Sequence, residues 1–575
     1  MQHLLWPRKK LFLLVVVIAT LAASVCAQSS QLGKVEFPTS GSEKAQAHFL
    51  RGLAALHSFW YEEALDAFRE ATKIEPDFMM GYWGEAMAHN HPLWSEQDTA
   101  AARQVLGKMK DTPKLTARER AYLGAVKLLY GEGDKRARDA AYSAAMEKIY
   151  HDYADDLDAA AFYSLSLLGL VRPDEKSYRL QARAGAIALE VYQKNPNHPG
   201  AAHYIIHAFD DPDHAILALP AARRYASIAP EAHHARHMPA HIFLQLGMWP
   251  EAAASNESAW ETSDAWMKRK HLSPNVRDYH SLHWLLYVYL QQGRYNKAEE
   301  LLALMKKTMS ESSYDNKLRP NYYENNYANM AAAFVVETER WKLARTLFPT
   351  DAEAVLGQTV SAGGDMQAMP GMPGAHAGHG QTSGTQPVTN DGPGTVRASN
   401  RSQTLPFFIR GLADAVTGSP EVETSLIGLK ATPISVPFAN LMLEVRQLEV
   451  AALAASMKQD HSKAIDSMKK AIVLEEQIGP PSGPPGLIKP SNELFGEVLL
   501  RAGKPEAAME QFQAALLRQP NRARSLLGAA RAASQIGDEP GAASFYARLL
   551  EQWKQADEGL PELREARDYL KKARP

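Results

Sequence analysis

Three short stretches of the chain concentrate imidazoles at spacings that suit coordination chemistry. They are His203-Tyr-Ile-Ile-His207, His234-Ala-Arg-His237-Met-Pro-Ala-His241 and His280-Ser-Leu-His283, and eleven of the twenty histidines fall between His198 and His283. Residues three and four apart share one face of a helix, and paired imidazoles on a helical face are a common way for helical proteins to hold transition metals. If the fold brings the three stretches together, His203, His207, His234, His237, His241, His280 and His283 form a candidate metal site. Imidazole donors suit Zn, Cu, Ni or Fe and argue against Ca or Mg. Seven histidines exceed one tetrahedral set, so either two ions bind or some rings support the ligands from behind.

The chain has 575 residues, 45% of them apolar and 22% charged, with a formal net charge of −2. That is a globular composition long enough for several domains or a repeat array, with no charge bias toward nucleic acid. Arg8, Lys9 and Lys10 precede an apolar run from Leu11 to Val25, and Val25-Cys26-Ala27 offers small residues for cleavage before Gln28. We read residues 1–27 as a secretory signal peptide, which implies export to a periplasm or beyond, with no membrane span after cleavage. Lipidation of Cys26 is the alternative. Cys26 is the only cysteine, so the cleaved chain has no disulfide, and any metal must be held by His, Asp, Glu or Met.

A helical repeat emerges from the small and aromatic residues. Gly52, Ala64, Phe68, Ala71 and Pro76 occupy positions 8, 20, 24, 27 and 32 of a 34-residue frame beginning at Ala45. These are the marker positions of the tetratricopeptide repeat, a helix–turn–helix unit. The frame returns with Gly496, Gly503, Ala508, Phe512, Ala515 and Pro520, again with Gly537, Ala542 and Tyr546, and more weakly with Ala464, Met468 and Ala471. In the middle, units begin at Pro199, His233, Tyr279 and near Asn325, while 111–197 is helical without a clear frame. The expectation is an all-α helical-repeat solenoid: an N-terminal array over 28–350, a flexible Gly/Pro/Met/His linker over 351–403 and a C-terminal array over 404–575.

In these frames the histidines fall at repeat positions 2, 5 and 9. Resemblance to tetratricopeptide proteins implies that these positions of each first helix line the concave groove. With packed axes roughly 8–10 Å apart, three neighbouring first helices could aim all seven rings at one region. The HxxxH, HxxHMPxH and HxxH series also resembles a family of bacterial tetratricopeptide proteins. The resemblance extends to Arg51-Gly52-Leu53, Tyr82-Trp83-Gly84, Pro520-Asn521-Arg522 and Gly528-Ala529-Ala530. It implies the fold and the importance of the histidines, and no particular reaction.

Other readings stand beside the metal one. The histidines could hold an anionic ligand or a peptide carboxylate, or form a structural polar network. Pro239, between His237 and His241, should kink their helix. Asp210, Asp211 and Asp213 are read as an inter-helix turn rather than ligands, and His48, His57, His151, His214, His271 and His461 as surface or hydrogen-bonded core residues. Asn325, Asn326 and Asn329 occupy groove positions, whereas Trp83, Trp94, Trp284 and Tyr322-Tyr323 are read as core. Met366, Met369, Met372, His376 and His379 in the linker are a possible copper-capturing motif. Three function classes follow: a non-catalytic protein holding Zn, Cu or Fe, a metal-dependent hydrolase or oxidase, and a scaffold for a protein or peptide. A chain lacking 361–400 should keep the melting temperature and the transition-metal content of the full chain, measured by calorimetry and elemental analysis. Loss of metal on deletion would move the site to the linker.

Overall fold

The computed structural model describes residues 31–172, 177–311, 321–349, 393–431 and 437–572. The leader and the Met/His motif of the linker lie outside these residues. The protein is an all-α solenoid of tetratricopeptide type, built from antiparallel helix pairs. The only strands among the described residues are Asn90–His91 and Glu96–Gln97, a two-residue antiparallel pair beside the first repeat. No helix among the described residues is long and apolar enough to cross a membrane.

The repeat markers act through close packing. The Glu43–His57 and Tyr61–Ile74 helices form the first pair. A Cβ on Gly52 or Gly84 would lie 2.7 or 2.3 Å from the Phe68 ring, so the fully buried ring fills the space those glycines leave. Phe512 does the same between Gly496 and Gly528. The unframed stretch 111–197 supplies four helices of the same kind: Ala117–Leu129, Lys135–Asp152, Leu157–Gly169 and Arg179–Lys194. The Pro393–Thr417 helix begins inside the segment read as linker.

The three histidine stretches lie on three neighbouring first helices. Pro199–Ala208 carries the first and Tyr279–Gln291 the third. The second spans two short helices, His233–His237 and Pro239–Gln245, which meet at Met238. Pro239 has no N–H to donate, and the chain compensates with a tightened turn in which His241 N donates to Met238 O at 3.1 Å.

The C-terminal repeats dock against these helices. Arg522 has no solvent exposure. Its guanidinium donates to Tyr287 Oη at 2.8 Å, to Glu337 Oε1 at 2.6 Å and to both carboxylate oxygens of Glu493. Around it, Ala523 N donates to Gln291 Oε1, Trp249 Nε1 to Asn521 O, and Trp553 Nε1 to Gln291 O. Tyr287 and Gln291 belong to the helix that bears His280. Removing one member of a buried ion pair leaves uncompensated charge and costs about 3–5 kcal/mol. Arg522→Leu should therefore lower the urea-denaturation stability by that amount, and a loss below about 1 kcal/mol would show that docking does not depend on this group.

Candidate metal centre

Six of the seven histidines assemble into two adjoining triads. His203, His207 and His234 each point one ring nitrogen to a common place, as do His237, His241 and His280, with all ligand atoms of each triad within 4.8 Å of one another. In the first triad, His203 Nε2 lies 3.1 Å from His207 Nε2 and 3.2 Å from His234 Nε2. In the second, His237 Nε2 and His241 Nε2 are 3.1 Å apart. Nitrogens bound at about 2.05 Å to one tetrahedral ion lie roughly 3.3 Å apart, so these separations suit a shared ion. The triads abut along two edges: ring centroids are 5.9 Å apart for His207–His241 and for His234–His237.

The far side of each ring decides which nitrogen carries the proton. His203 Nδ1 donates to the backbone carbonyl of His57 at 2.7 Å. His241 Nδ1 donates to Asp210 Oδ2 at 2.6 Å. His237 Nδ1 lies 2.7 Å from Asn256 Oδ1, which must accept, because the Asn256 amide nitrogen already donates to Ala252 O. His203 and His237, both held neutral by burial, therefore present an unprotonated Nε2 to the centre. The Nε2 atoms of His237 and His241 face each other at 3.1 Å. Partners of this kind behind a ring are what orient metal-bound imidazoles.

Burial keeps the rings neutral. His203 and His237 have no solvent exposure, and desolvation pushes both down to about 3. Burial first, and neighbouring histidines next, also hold His207, His234 and His280 well below the ordinary imidazole range. Aromatic side chains seal the surroundings. Phe59 packs edge-on to His203 at 4.3 Å, and Trp284 lies 4.1 Å from the His241 ring. The segment 479–490 of the C-terminal repeats roofs this wall. Gln245 Nε2 bridges Asp210 Oδ1 and Pro481 O, and a Cβ on Gly483 would meet the Trp284 ring at 2.5 Å.

His283 joins neither triad. It lines a separate cavity with Tyr287, Asn329 and the 484–486 stretch, close enough to His280 to act on it electrostatically. Asn326 and Asn329 donate their side-chain amides back to carbonyls of their own helix. Asp211 does form the expected turn, accepting from the backbone N–H of Asp213 and His214, but Asp210 serves as the carboxylate behind His241. Trp284 is buried, as a core residue should be, yet the core it packs into is the histidine wall. His57 is a hydrogen-bonded core histidine, held by Tyr204 and Asp158. Asn256, Asp210 and Phe59 carried no local signal for the site, because each acts from another helix or turn.

Tetratricopeptide-repeat models match residues 45–78 and 494–557. Among solved structures, the human IFIT1 dimer with m7Gppp-AAAA is 12% identical, covering 91% of this chain and 92% of that one at a TM-score of 0.33. The APC/C hetero-tetramer Cut9–Hcn1 is also 12% identical, covering 93% and 97% at a TM-score of 0.24. No curated protein matches the sequence.

A histidine held neutral by burial must take up a proton when the protein unfolds below its ordinary pKa of about 6.5. Its contribution to stability is therefore complete above about pH 6.5 and is lost as pH falls from there toward 3. The metal-free protein should melt at progressively lower temperature between about pH 7 and pH 5, and a flat profile over that range would contradict the neutral, buried state of these rings.

Proposed function

We propose that this chain is a tetratricopeptide-repeat protein that holds transition-metal ions in a paired three-histidine centre. The observation that carries the reading is the apposition of His237 and His241. Each has its Nδ1 committed as a donor and turns its Nε2 toward the other at 3.1 Å in a buried place, so with both rings neutral two lone pairs meet. That arrangement is repulsive by itself and becomes favourable with a cation between the nitrogens. The same logic supports His203 with His207 and His234, where the His57 carbonyl sets the inward lone pair. His203, His207 and His234 would hold one ion, and His237, His241 and His280 the other. Zn, Cu and Fe all fit an imidazole set, and each triad leaves a coordination position open for a further ligand.

Tetratricopeptide repeats are generally protein-binding units, and they support a scaffold or interaction role here. In this chain the C-terminal repeats occupy the helices next to the centre through Arg522, Asn521 and Trp553. A peptide lying across Tyr287 and Gln291 would have to displace them, which favours the metal reading over a peptide held at that place. The apolar run with its basic flank at the N-terminus supports export, where a centre free of cysteine escapes thiol oxidation.

Metal bound to the folded state alone adds stability by mass action, about 2.7–4 kcal/mol at free metal 100–1,000 times Kd. Chelation should lower the melting temperature accordingly, with up to two ions per chain released. Replacing His237 and His241 by Ala should abolish binding in the second triad and reduce the shift. No stoichiometric metal, together with an unchanged melting temperature after chelation, would favour the scaffold reading.

A further inference from the structure

The first turn of the solenoid contains a backbone anomaly. Most framed repeats, though not the one beginning at Pro199, make a left-handed residue between their two helices. It is glycine at Gly247, Gly293, Gly503 and Gly537, and a solvent-accessible polar residue at Glu339 and Gln459. In the first repeat it is Phe59, with φ +52. A left-handed aromatic residue is strained where glycine would not be, and strain of this kind collects at functional sites. What the chain gains is the position of the ring, which covers three candidate ligands at centroid distances of 4.3 Å to His203 and 5.8 Å to both His207 and His234.

Behind Phe59 lies a cavity of about 30 Å3, walled mainly by Leu56, Phe59, Met87, Leu129, Phe162 and Leu165. Of the polar groups at its edge, Asn90 and Ser166 are bonded to other side chains and Asp139 pairs with Lys135, while the Tyr142 hydroxyl has no partner. A space this small excludes an organic substrate, and apolar cavities favour small uncharged molecules.

The ligand set points the same way. All six inward donors are imidazole nitrogens, and no carboxylate oxygen is among them. The nearby carboxylates are Asp210, behind His241, and Asp278, which is shared with His233 and Ser281. Two buried dications held by six neutral rings would find little compensating charge, whereas two monovalent ions would need half as much.

Taken with the proposed paired metal centre, on which this rests, we infer that the two triads hold a pair of copper(I) ions that bind dioxygen between them, the gas reaching them through the apolar cavity behind Phe59. In the binding step each copper(I) gives up one electron. Dioxygen takes both to become a bridging peroxide with its O–O single bond intact, so two copper(II) ions result. No proton is taken up and no group leaves, and removal of dioxygen reverses the step.

The experiment uses the full-length protein freed of metal, titrated with copper(I) without air and then exposed to dioxygen. Two copper ions should bind per chain and take up one dioxygen. An intense near-ultraviolet charge-transfer band should appear without a paramagnetic resonance signal, because bridged copper(II) ions couple. The band should vanish on deoxygenation. His280→Gln, which removes one ligand of the second triad, should abolish the band and leave resonance-visible copper(II). Phe59→Gly removes the covering ring: two copper(I) ions should still bind per chain, while the dioxygen band is lost. Two coppers that oxidise to uncoupled, resonance-visible copper(II) in the unaltered protein would overturn the proposal and leave the metal centre standing. So would tight uptake of two zinc ions with none of copper(I). Failure of every transition metal to bind would remove the centre itself, and this inference with it.

Discussion

Arg522 is a charged side chain with no access to water, and its three partners lie in three different repeats. Burying a guanidinium is tolerable only when its donors find charged or polar acceptors, and Tyr287, Glu337 and Glu493 supply them. Glu493 is itself held ionised: burial would raise it, but Arg522 and Lys489 outweigh that and pull it far below the ordinary carboxylate range. The interaction is directional, so it sets the register between the C-terminal repeats and the Tyr279–Gln291 helix. That helix presents His280 and Trp284 about two turns and one turn before Tyr287. The roof of the histidine centre, contributed by 479–490, is placed by the same docking.

Within that enclosure the histidines obey a simple electrostatic rule. A ring that donates from Nδ1 to a fixed acceptor must turn a lone pair inward, and several such rings on adjacent helices place lone pairs against one another. The acceptors differ: a backbone carbonyl for His203, an amide oxygen for His237 and a carboxylate for His241. All three lie on elements other than the one bearing the ring. Burial then removes the option of relieving the repulsion by protonation, since the charged imidazolium is the form desolvation penalises.

The same enclosure explains why aromatic residues read as ordinary core matter here. Trp284 and Phe59 are buried, as repeat aromatics usually are, but each also packs against imidazole. They exclude water from the coordination region and lower the local dielectric, which strengthens whatever electrostatic interaction an ion makes there. Phe59 does this from a turn whose left-handed geometry disfavours an aromatic residue.

The repeat period and the helical spacing of His203, His207, His234, His237, His241 and His280 were legible in the chain, because packing within one helix pair depends on residues close in sequence. Phe68 meets Gly52 and Gly84 through a local rule that any copy of the repeat must satisfy, and the frame therefore announced itself. The groove positions of the histidines followed from that frame. Their division into two triads did not, nor did the separation of His283, because those outcomes depend on how successive units rotate against one another. Asp210 read as a turn residue because nothing near it in sequence records that His241 comes to rest beside it. Asn256, the His57 carbonyl and Arg522 act across separations of 19, 146 and up to 235 residues, over which no local pattern constrains a partner. Sequence determined which side chains share a helical face, since helical period and close packing are short-range. Tertiary structure decided which nitrogen each ring offers and what covers it, since hydrogen bonds and dielectric depend on neighbours that only the folded chain assembles.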